Sequence, residues 1–367
     1  MMKLQRRALI LAIGVLGVNA AHAQLTIEQL IEQTGIEAGA VAVRNIPGWQ
    51  KPRKIIVLDR FGLFAEVDAA VSGVELIAVR SEDEAIAQAA DADAIIGSCS
   101  DRILSAAPKA VWVQIFSAGA EHCVVVDRIR SEQVILTNMQ KMSSPVIAEH
   151  VIAMTLALAR GLPKFDKAMS QGKWSRLSAI TDEMQSIAGK TMLVVGLGGI
   201  GTEVARRAAA LDMRVIGTRR SSREGPDFVD YVGLSDELHE LAGQADFIVN
   251  ALPLTPATTG IIDEHFFAAA KSGTHFINVG RGGTVVTDDL VAALRSGKVA
   301  GAGLDVTDPE PLPGDHPLWH FDNVIITPHV ASRGANTVRH KLLTIENLKR
   351  FVAGDALLNV VDPKLGY

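Results

Sequence analysis

The sequence predicts an α/β protein made of two doubly wound, parallel-sheet domains with a cleft between them. The first observation is the length of 367 residues, which suits two domains at about 100–200 residues each. The second is that short β-branched runs alternate with segments of helical periodicity, a pattern typical of parallel sheets covered by helices. The third is a glycine-rich turn at residues 196–201, between a strand and a helix.

The composition excludes several classes of protein. Hydrophobic residues make up 48% and charged residues 21% of the chain, which indicates a globular rather than a disordered protein. The net charge is −5 and no run of Lys and Arg is interleaved with aromatic residues, so we expect no nucleic-acid partner. The two cysteines, Cys99 and Cys123, are too few for a disulfide scaffold or a cysteine-rich metal site, and we expect no metal.

Residues 1–23 have the three parts of a secretory signal peptide. Basic residues that include Arg6 and Arg7 precede an uncharged apolar stretch at 8–18, and a small-x-small sequence ends at Ala23. The stretch is shorter than the ~20 residues that span a bilayer, so cleavage would leave no stable membrane association. The sequence therefore predicts export to the periplasm. The arginine pair is a weak motif for the twin-arginine route, which applies if the protein is exported folded, so the export route is left open. An uncleaved anchor, a packed apolar helix, and a cytoplasmic protein with a misassigned N-terminus are the alternatives.

The first α/β series follows a helical lead-in and loop at residues 24–50. Five short strands are predicted, and the segments between them have helical spacing. These strands lie at residues 54–59, 75–79, 94–97, 111–116 and 133–138. The series predicts a flavodoxin-like sheet, which we assign to a substrate domain.

The second series begins with a long apolar helix predicted at 143–160, with Pro145 in its first turn, where a missing N–H costs no hydrogen bond. The amphipathic helix predicted at 334–352 has no strand after it, so we expect it to return to the first domain. The substrate domain then comprises residues 24–142 and 331–367, and a dinucleotide-binding Rossmann domain comprises residues 143–330. Its seven predicted strands lie at residues 191–195, 213–217, 228–232, 246–250, 274–279, 302–306 and 323–327.

The glycine-rich turn predicts a dinucleotide site. It follows an apolar strand and opens a helix, which is the context that a G-x-G-x-x-G motif requires. Gly196 permits a tight turn, Gly198 lets the backbone approach a pyrophosphate, and Gly201 lets helix and strand pack closely. The helix N-terminus adds free N–H donors and a positive dipole end. The predicted cofactor-binding residues of this turn are Gly196, Leu197, Gly198, Gly199, Ile200 and Gly201.

The end of the following strand predicts which dinucleotide binds. Binders of NAD place Asp or Glu there for the ribose 2′-OH, but this chain has no carboxylate until Glu224. Arginines and hydroxyls suit a 2′-phosphate through charge-assisted hydrogen bonds. We therefore predict NADP(H), with NAD(H) and a solvated basic turn as the alternatives. The residues concerned are Thr218, Arg219, Arg220 and Ser221.

Polar residues follow the ends of three further predicted strands. Arg281, Glu310 and His329 each come shortly after one of the last three strands of the second series. Because open α/β sheets bind ligands beyond the carboxyl ends of their strands, we expect these side chains to converge. Each residue alone would be read as a surface or structural residue. Their occurrence at three separate strand ends favours a catalytic site.

Together these motifs resemble the D-isomer-specific 2-hydroxyacid dehydrogenases of the glyoxylate/hydroxypyruvate reductase type. The resemblance runs from about residue 54 to the C-terminus, and rests on GLGGIG, Asn-x-x-Arg-Gly at 278–282, Asp-Val-x-x-x-Glu-Pro at 305–311 and Thr-Pro-His at 327–329. It implies a small 2-oxo or 2-hydroxy acid as substrate and a homodimer. It also implies the catalytic trio Arg281, Glu310 and His329.

Further roles are implied by the same resemblance. Loops after the strand ends of the first series would hold the substrate carboxylate through backbone N–H groups, at Ser98, Cys99, Ala118 and Gly119. Additional residues would line the cofactor: Leu252, Pro253, Thr258, Val279, Gly280 and Asp305. Cys99 and Cys123 follow neighbouring predicted strands, so their pairing is left open.

The residue types suit hydride transfer to a keto group. An imidazole titrates near neutrality, so His329 can give a proton to the carbonyl oxygen. Glu310 would hold the other ring nitrogen, and Arg281 would bind the substrate carboxylate and polarise the carbonyl. Two alternatives stay open, a non-catalytic NADP-binding sensor or corepressor-like protein on the same fold, and a phosphite dehydrogenase that uses the same trio.

Overall fold

The computed structural model describes residues 25–59, 62–174, 184–335 and 337–366. These residues form one parallel sheet of five strands and another of seven. The predicted fold class is confirmed. The predicted signal peptide and its arginine pair lie outside the described residues.

The first sheet has the strand order β2-β1-β3-β4-β5, which is the flavodoxin-like order. All of its strand pairs are parallel. Its strands are β1 (Lys54–Leu58), β2 (Glu75–Val79), β3 (Ala94–Ile96), β4 (Trp112–Gln114) and β5 (Ile135–Thr137). The helices in this part of the chain are α1 (Ile27–Thr34), α2 (Phe64–Ala69), α3 (Glu82–Gln88), α4 (Asp101–Ala106), α5 (Glu121–Val124) and α6 (Asp127–Arg130).

The second sheet has the order β12-β11-β10-β9-β6-β7-β8, a Rossmann arrangement extended by one strand. Its strands are β6 (Thr191–Val195), β7 (Arg214–Thr218), β8 (Tyr231–Gly233), β9 (Phe247–Asn250), β10 (Thr274–Asn278), β11 (Val299–Leu304) and β12 (Val324–Ile326). The helices are α7 (Ser144–Ala159), α8 (Leu162–Ser170), α9 (Gly199–Ala210), α10 (Leu238–Ala242), α11 (Glu264–Ala269), α12 (Thr287–Arg295) and α13 (Thr337–Ala353).

Both faces of the second sheet are buried, which explains why its strands are continuous apolar runs. In β9, Phe247 and Val249 pack into one hydrophobic cluster and Ile248 packs into the cluster on the opposite face. Successive side chains of a strand point to opposite faces, so each apolar residue contributes to one of the two cores.

The C-terminal helix α13 packs against the first sheet. The ring of its Phe351 lies 4.9 Å from that of Trp112 on β4. Its Asn347 donates a hydrogen bond of 3.0 Å to the buried Gln114, and residue Val360 forms an antiparallel bridge with Thr137 at the edge strand β5. The chain therefore returns to the first sheet after completing the second.

The predicted strand at 228–232 was wrong at its start, since β8 covers only Tyr231–Gly233. Val229 donates its N–H to the carbonyl of Pro226 at 2.9 Å, so this part of the segment is a turn. Several other predicted strands were one to three residues too long.

Among the described residues no single helix is long and apolar enough to cross a membrane. Helices α7 and α8 together are long and apolar enough, but the chain bends by 72° between them.

Candidate active site

The carboxyl ends of β10, β11 and β12 meet at one edge of the second sheet, because the three strands are adjacent and parallel. Asn278 is in register with Leu304, and Leu304 with Ile326. The loops beyond them touch. A Cβ on Gly282 would lie 1.9 Å from the carbonyl oxygen of Thr307, so only glycine fits there. The segments that carry Arg281 and Glu310 are thus held against each other.

His329 and Glu310 form a direct pair. The imidazole Nδ1 lies 2.7 Å from Glu310 Oε1. Their side chains are 47% and 43% exposed, so the pair is open to a small ligand. His329 has a φ of 53°, a left-handed conformation that is uncommon for residues other than glycine. Its backbone N–H donates to the carbonyl of Asp305 at 2.8 Å, which fixes this conformation locally.

The carboxylate of Asp305 stabilises the loop that carries His329. This side chain is 4% exposed. It accepts hydrogen bonds from the Thr327 hydroxyl at 2.6 Å, and from the backbone N–H groups of Val330 at 2.8 Å and Ala331 at 3.0 Å. A buried carboxylate needs such partners. All three hydrogen bonds come from the loop after β12 that carries His329. The predicted contact of Asp305 with the cofactor stays a prediction.

Arg281 is held by residues of both domains. Its Nε donates to Glu121 Oε1 at 2.9 Å, and Glu121 lies on α5 of the first domain. Its Nη1 donates to the carbonyl of Gly280 at 2.8 Å. A Cβ on Gly119 would lie 1.9 Å from Arg281 Nη2. Gly119 was predicted to bind substrate. Because it has no side chain, it also makes room for the guanidinium of Arg281.

A disulfide joins the first predicted substrate loop to helix α5, which follows the second. Cys99 and Cys123 are bonded, with their Cα atoms 5.5 Å apart, and both side chains are buried. Cys99 follows β3 and Cys123 lies on α5, so the bond ties the first loop to the helix that carries Glu121. The side chain of Cys99 therefore does not face the cleft, although the prediction for this residue concerned its backbone N–H.

The other two predicted substrate residues are Ser98 and Ala118. Ser98 is partly buried. Ala118 is exposed, and its carbonyl accepts a hydrogen bond of 2.7 Å from Asn138 Nδ2. That bond fixes the backbone of the loop between β4 and α5.

The glycine turn has the shape that a pyrophosphate needs. Gly196 has a φ of 94°, and a Cβ on Gly201 would lie 2.1 Å from the Gly196 carbonyl oxygen. Nothing lies within 4 Å of the Cβ position of Gly198, so this side of the turn is open. Leu197 is buried, and Gly199 and Ile200 begin α9. Thr218 accepts a hydrogen bond of 3.1 Å from the Gly196 N–H, and so supports the turn rather than lining the opening.

The segments after β9 and β10 form one wall beside this turn. A Cβ on Gly280 would lie 2.6 Å from the Leu252 carbonyl oxygen. Thr258 donates its hydroxyl to the Pro253 carbonyl at 2.6 Å, which shapes the loop after β9. Val279 is buried behind it. These predicted cofactor residues therefore shape the wall through their backbones.

The basic residues after β7 are placed differently from one another. Arg219 is partly buried, and its Nε is buried without a hydrogen-bond partner among the described residues. It lines a cavity of about 400 Å³ together with the glycine turn. Arg220 and Ser221 are exposed. Arg223 instead pairs with Glu237 at 2.7 Å, and with the Tyr231 hydroxyl it lowers the pKa of Glu237 to about 2.

Comparison with known proteins identifies the family. The family model for "D-isomer specific 2-hydroxyacid dehydrogenase, NAD binding domain" matches residues 152–331. Glyoxylate reductase/hydroxypyruvate reductase from Homo sapiens is 36% identical over 264 residues, which cover 70% of this chain and 78% of that protein. Glyoxylate reductase from Aeropyrum pernix is 34% identical over 289 residues, which cover 76% of this chain and 85% of that protein.

The chain belongs to the D-isomer specific 2-hydroxyacid dehydrogenase family. Two solved structures are similar to it over most of its length. A member of this family from Xanthobacter autotrophicus Py2, in complex with NADPH and MES, has a TM-score of 0.74 and 29% identity, and the match covers 86% of this chain and 100% of that chain. The NADPH-dependent glyoxylate/hydroxypyruvate reductase from Sinorhizobium meliloti, in complex with NADP and sulfate, has a TM-score of 0.73 and 29% identity, with the same coverage.

The predicted resemblance to this family is therefore confirmed. The protein is an NAD(P)-dependent oxidoreductase, and its open glycine turn, with Arg219 lining the cavity beside it, fits a bound dinucleotide.

Two polar residues of the dehydrogenase site escaped the sequence analysis. Glu121, which holds Arg281, comes from the other domain and has no motif around it. His150 lies on α7, with its Nε2 3.0 Å from the Thr327 hydroxyl and 3.9 Å from Asp305 Oδ1. Glu121 holds Arg281 of the predicted trio, whereas His150 contacts Thr327 and Asp305, which stabilise the loop that carries His329.

Proposed function

We propose that this dehydrogenase reduces a small 2-oxo acid of the glyoxylate or hydroxypyruvate type to the D-2-hydroxy acid, with NADPH as the reductant. The observation that carries the proposal is the contact of 2.7 Å between His329 Nδ1 and Glu310 Oε1 at the sheet edge that Arg281 shares. Relatives named as glyoxylate and hydroxypyruvate reductases support the choice of substrate class.

His329 supplies the proton. NADPH held at the glycine turn would supply the hydride for the keto carbon, and the carbonyl oxygen would then need a proton. Glu310 accepts the hydrogen bond of the Nδ1–H group, which leaves Nε2 as the ring atom that donates to that oxygen. The same hydrogen bond fixes the orientation of the imidazole, so that Nε2 is presented to the carbonyl oxygen in the direction of reduction.

Arg281 orients the substrate. Its Nε and Nη1 are held by Glu121 and the Gly280 carbonyl, so the plane of the guanidinium is fixed before substrate binds. Its Nη2 lies against Gly119, at the loop whose backbone we propose to contact the substrate carboxylate. A preorganised cation at this place both binds the carboxylate and polarises the carbonyl.

We expect NADPH to be preferred over NADH. The cavity beside the glycine turn is lined by Arg219, whose guanidinium group we expect to bind the 2′-phosphate. Initial rates with glyoxylate, hydroxypyruvate and pyruvate, each with both cofactors, test the proposal. The expected kcat/KM is at least about tenfold higher with NADPH, the value of one charge-assisted hydrogen bond.

Two outcomes of this assay would count against the proposal. A clear preference for NADH contradicts the choice of cofactor. Binding of NADPH without turnover of any of the three acids favours a non-catalytic sensor instead.

We also propose that the enzyme is exported after cleavage at Ala23. The disulfide of Cys99 and Cys123 supports this, because such bonds persist in oxidising compartments. Mass analysis of the protein from fractionated cells should find a chain that begins at Gln24 in the periplasmic fraction. An intact N-terminus recovered only in the cytoplasm would contradict export.

A homodimer also stays a proposal. Exposed apolar side chains on and after α7 and α8 support it, and one of them, Trp174, is 99% exposed. The others are Leu156, Leu162 and Met169.

A further inference from the structure

Three cations from separate parts of the chain line the cavity of about 400 Å³ beside the glycine turn. Arg219 follows β7 in the Rossmann domain. Lys141 follows β5 of the other domain, and Arg339 lies on α13, which packs against that same domain. We propose that Lys141 and Arg339 bind the phosphate groups of the dinucleotide from the substrate-domain side of the cleft. This inference rests on the proposed function.

Lys141 is packed directly against the glycine turn. A Cβ on Gly199 would lie 2.7 Å from Lys141 Cγ, so the lysine stem covers the start of α9. Its Nζ donates to the Gly35 carbonyl at 2.7 Å, at the end of α1. An ammonium group has three donors, so two remain for other acceptors.

The charge of Lys141 is poorly compensated. Burial lowers the pKa of this lysine, Glu37 opposes that change, and Arg219 lowers the pKa further by repulsion. Two cations that repel each other in one cavity are stabilised by an anion that binds both. A phosphate at this position would receive charge-assisted hydrogen bonds from either side.

Arg339 reaches the same cavity from α13. Its Nη2 donates to Gln33 Oε1 on α1 at 3.1 Å, so the amide of Gln33 fixes one end of the guanidinium. Gln33 and Thr34 also line the cavity. Helix α1 precedes the segment matched by the family model, and it forms a wall of the cleft.

The acidic side chain that lines the cavity, Glu203, is already paired with two arginines outside it. Among the described lining residues only Glu203 is acidic. It accepts a hydrogen bond of 2.8 Å from Arg206 and another from Arg207, and these hydrogen bonds help to hold its pKa below the usual value although burial acts in the opposite direction. The charge of Lys141, Arg219 and Arg339 is therefore not cancelled by it. With the N-terminus of α9 at the same place, the cavity favours an anion.

NADPH has two phosphate groups that these cations could bind, the pyrophosphate and the 2′-phosphate, whereas NADH has only the pyrophosphate. Fluorescence titrations with NADPH and with NADH therefore show which of the two groups a residue binds, and they need no turnover. The variants are Lys141→Met and Arg339→Met, which keep the stem and remove the charge. Lys349→Met is the matched control, because Lys349 is exposed on the same helix α13 and does not line the cavity.

Each cavity variant is expected to raise the Kd for NADPH about tenfold or more, the loss of one hydrogen bond to a charged group. An equal loss for NADH assigns the residue to the pyrophosphate, and a loss for NADPH alone assigns it to the 2′-phosphate. Both outcomes support the inference. Lys141→Arg should restore most of the affinity, because it restores the positive charge that Lys141→Met removes.

A Kd within twofold of the wild type for both cofactors, in both variants, would overturn the inference. The variant of Arg339 keeps the test open if Lys141→Met does not fold. Failure of the proposed function has a different signature, since the wild-type protein itself would then bind NADPH without oxidising it in the presence of a 2-oxo acid.

Discussion

Replacement of His329 by alanine is expected to lower kcat by about 10²–10⁴-fold, the usual contribution of a general acid. The reason is that the ring nitrogen opposite Nδ1 supplies the proton, and Nδ1 is held at 2.7 Å from Glu310. The Kd for NADPH should not change, because the cavity for the phosphates is formed by other residues. Steady-state rates with hydroxypyruvate and a separate titration of cofactor measure the two effects.

The matched control for this variant is His265→Ala. His265 is an exposed histidine beside a glutamate, with Nε2 at 3.8 Å from Glu264 Oε1, and it lies on α11. It should retain wild-type rates. Glu310→Gln should lower kcat less than His329→Ala, because the amide oxygen can still accept the hydrogen bond of the ring while the carboxylate charge is lost. A His329→Ala enzyme within a few-fold of wild type would remove this residue from the mechanism.

Replacement of Arg281 by lysine is expected to lower kcat/KM for the 2-oxo acid by about 10²–10³-fold, the range seen when one transition-state donor is removed. Lysine keeps the charge and loses the planar fork, which here bonds Glu121 and the Gly280 carbonyl at the same time. An unheld ammonium group would bind the carboxylate without fixing its orientation. Initial-rate measurements over a range of acid concentrations give the value.

Arg295→Lys provides the control for this charge-conserving change. Arg295 is an exposed arginine at the end of α12, and its replacement should leave kcat/KM unaltered. Wild-type kcat/KM in Arg281→Lys would contradict the proposed role of the guanidinium, whatever the result for His329.

Much of the site could be predicted because its signals are local. Gly196 and Gly201 are required by the backbone of a single turn, with a φ of 94° at the first and a close carbonyl at the second. Arg281, Glu310 and His329 could be predicted as a group because parallel strands bring their carboxyl ends to one edge. The contact between Glu310 and His329 follows from that topology.

Contacts between distant segments could not be predicted. Glu121 and Arg281 are 160 residues apart, and no spacing in the sequence links them. Lys141 and Arg339 reach the cofactor cavity only because the chain returns across both domains. The role of Asp305 was also hidden, since its hydrogen bonds to Thr327 and to two backbone N–H groups depend on a loop conformation that composition does not reveal.

The central claim is that this chain transfers hydride from NADPH to a 2-oxo acid and protonates the oxygen through His329. The most direct measurement is the amount and configuration of the product formed from hydroxypyruvate and NADPH. We predict one D-glycerate for each NADPH oxidised, and loss of this product in His329→Ala. Formation of L-glycerate, or no oxidation of bound NADPH by the wild-type enzyme, would contradict the claim.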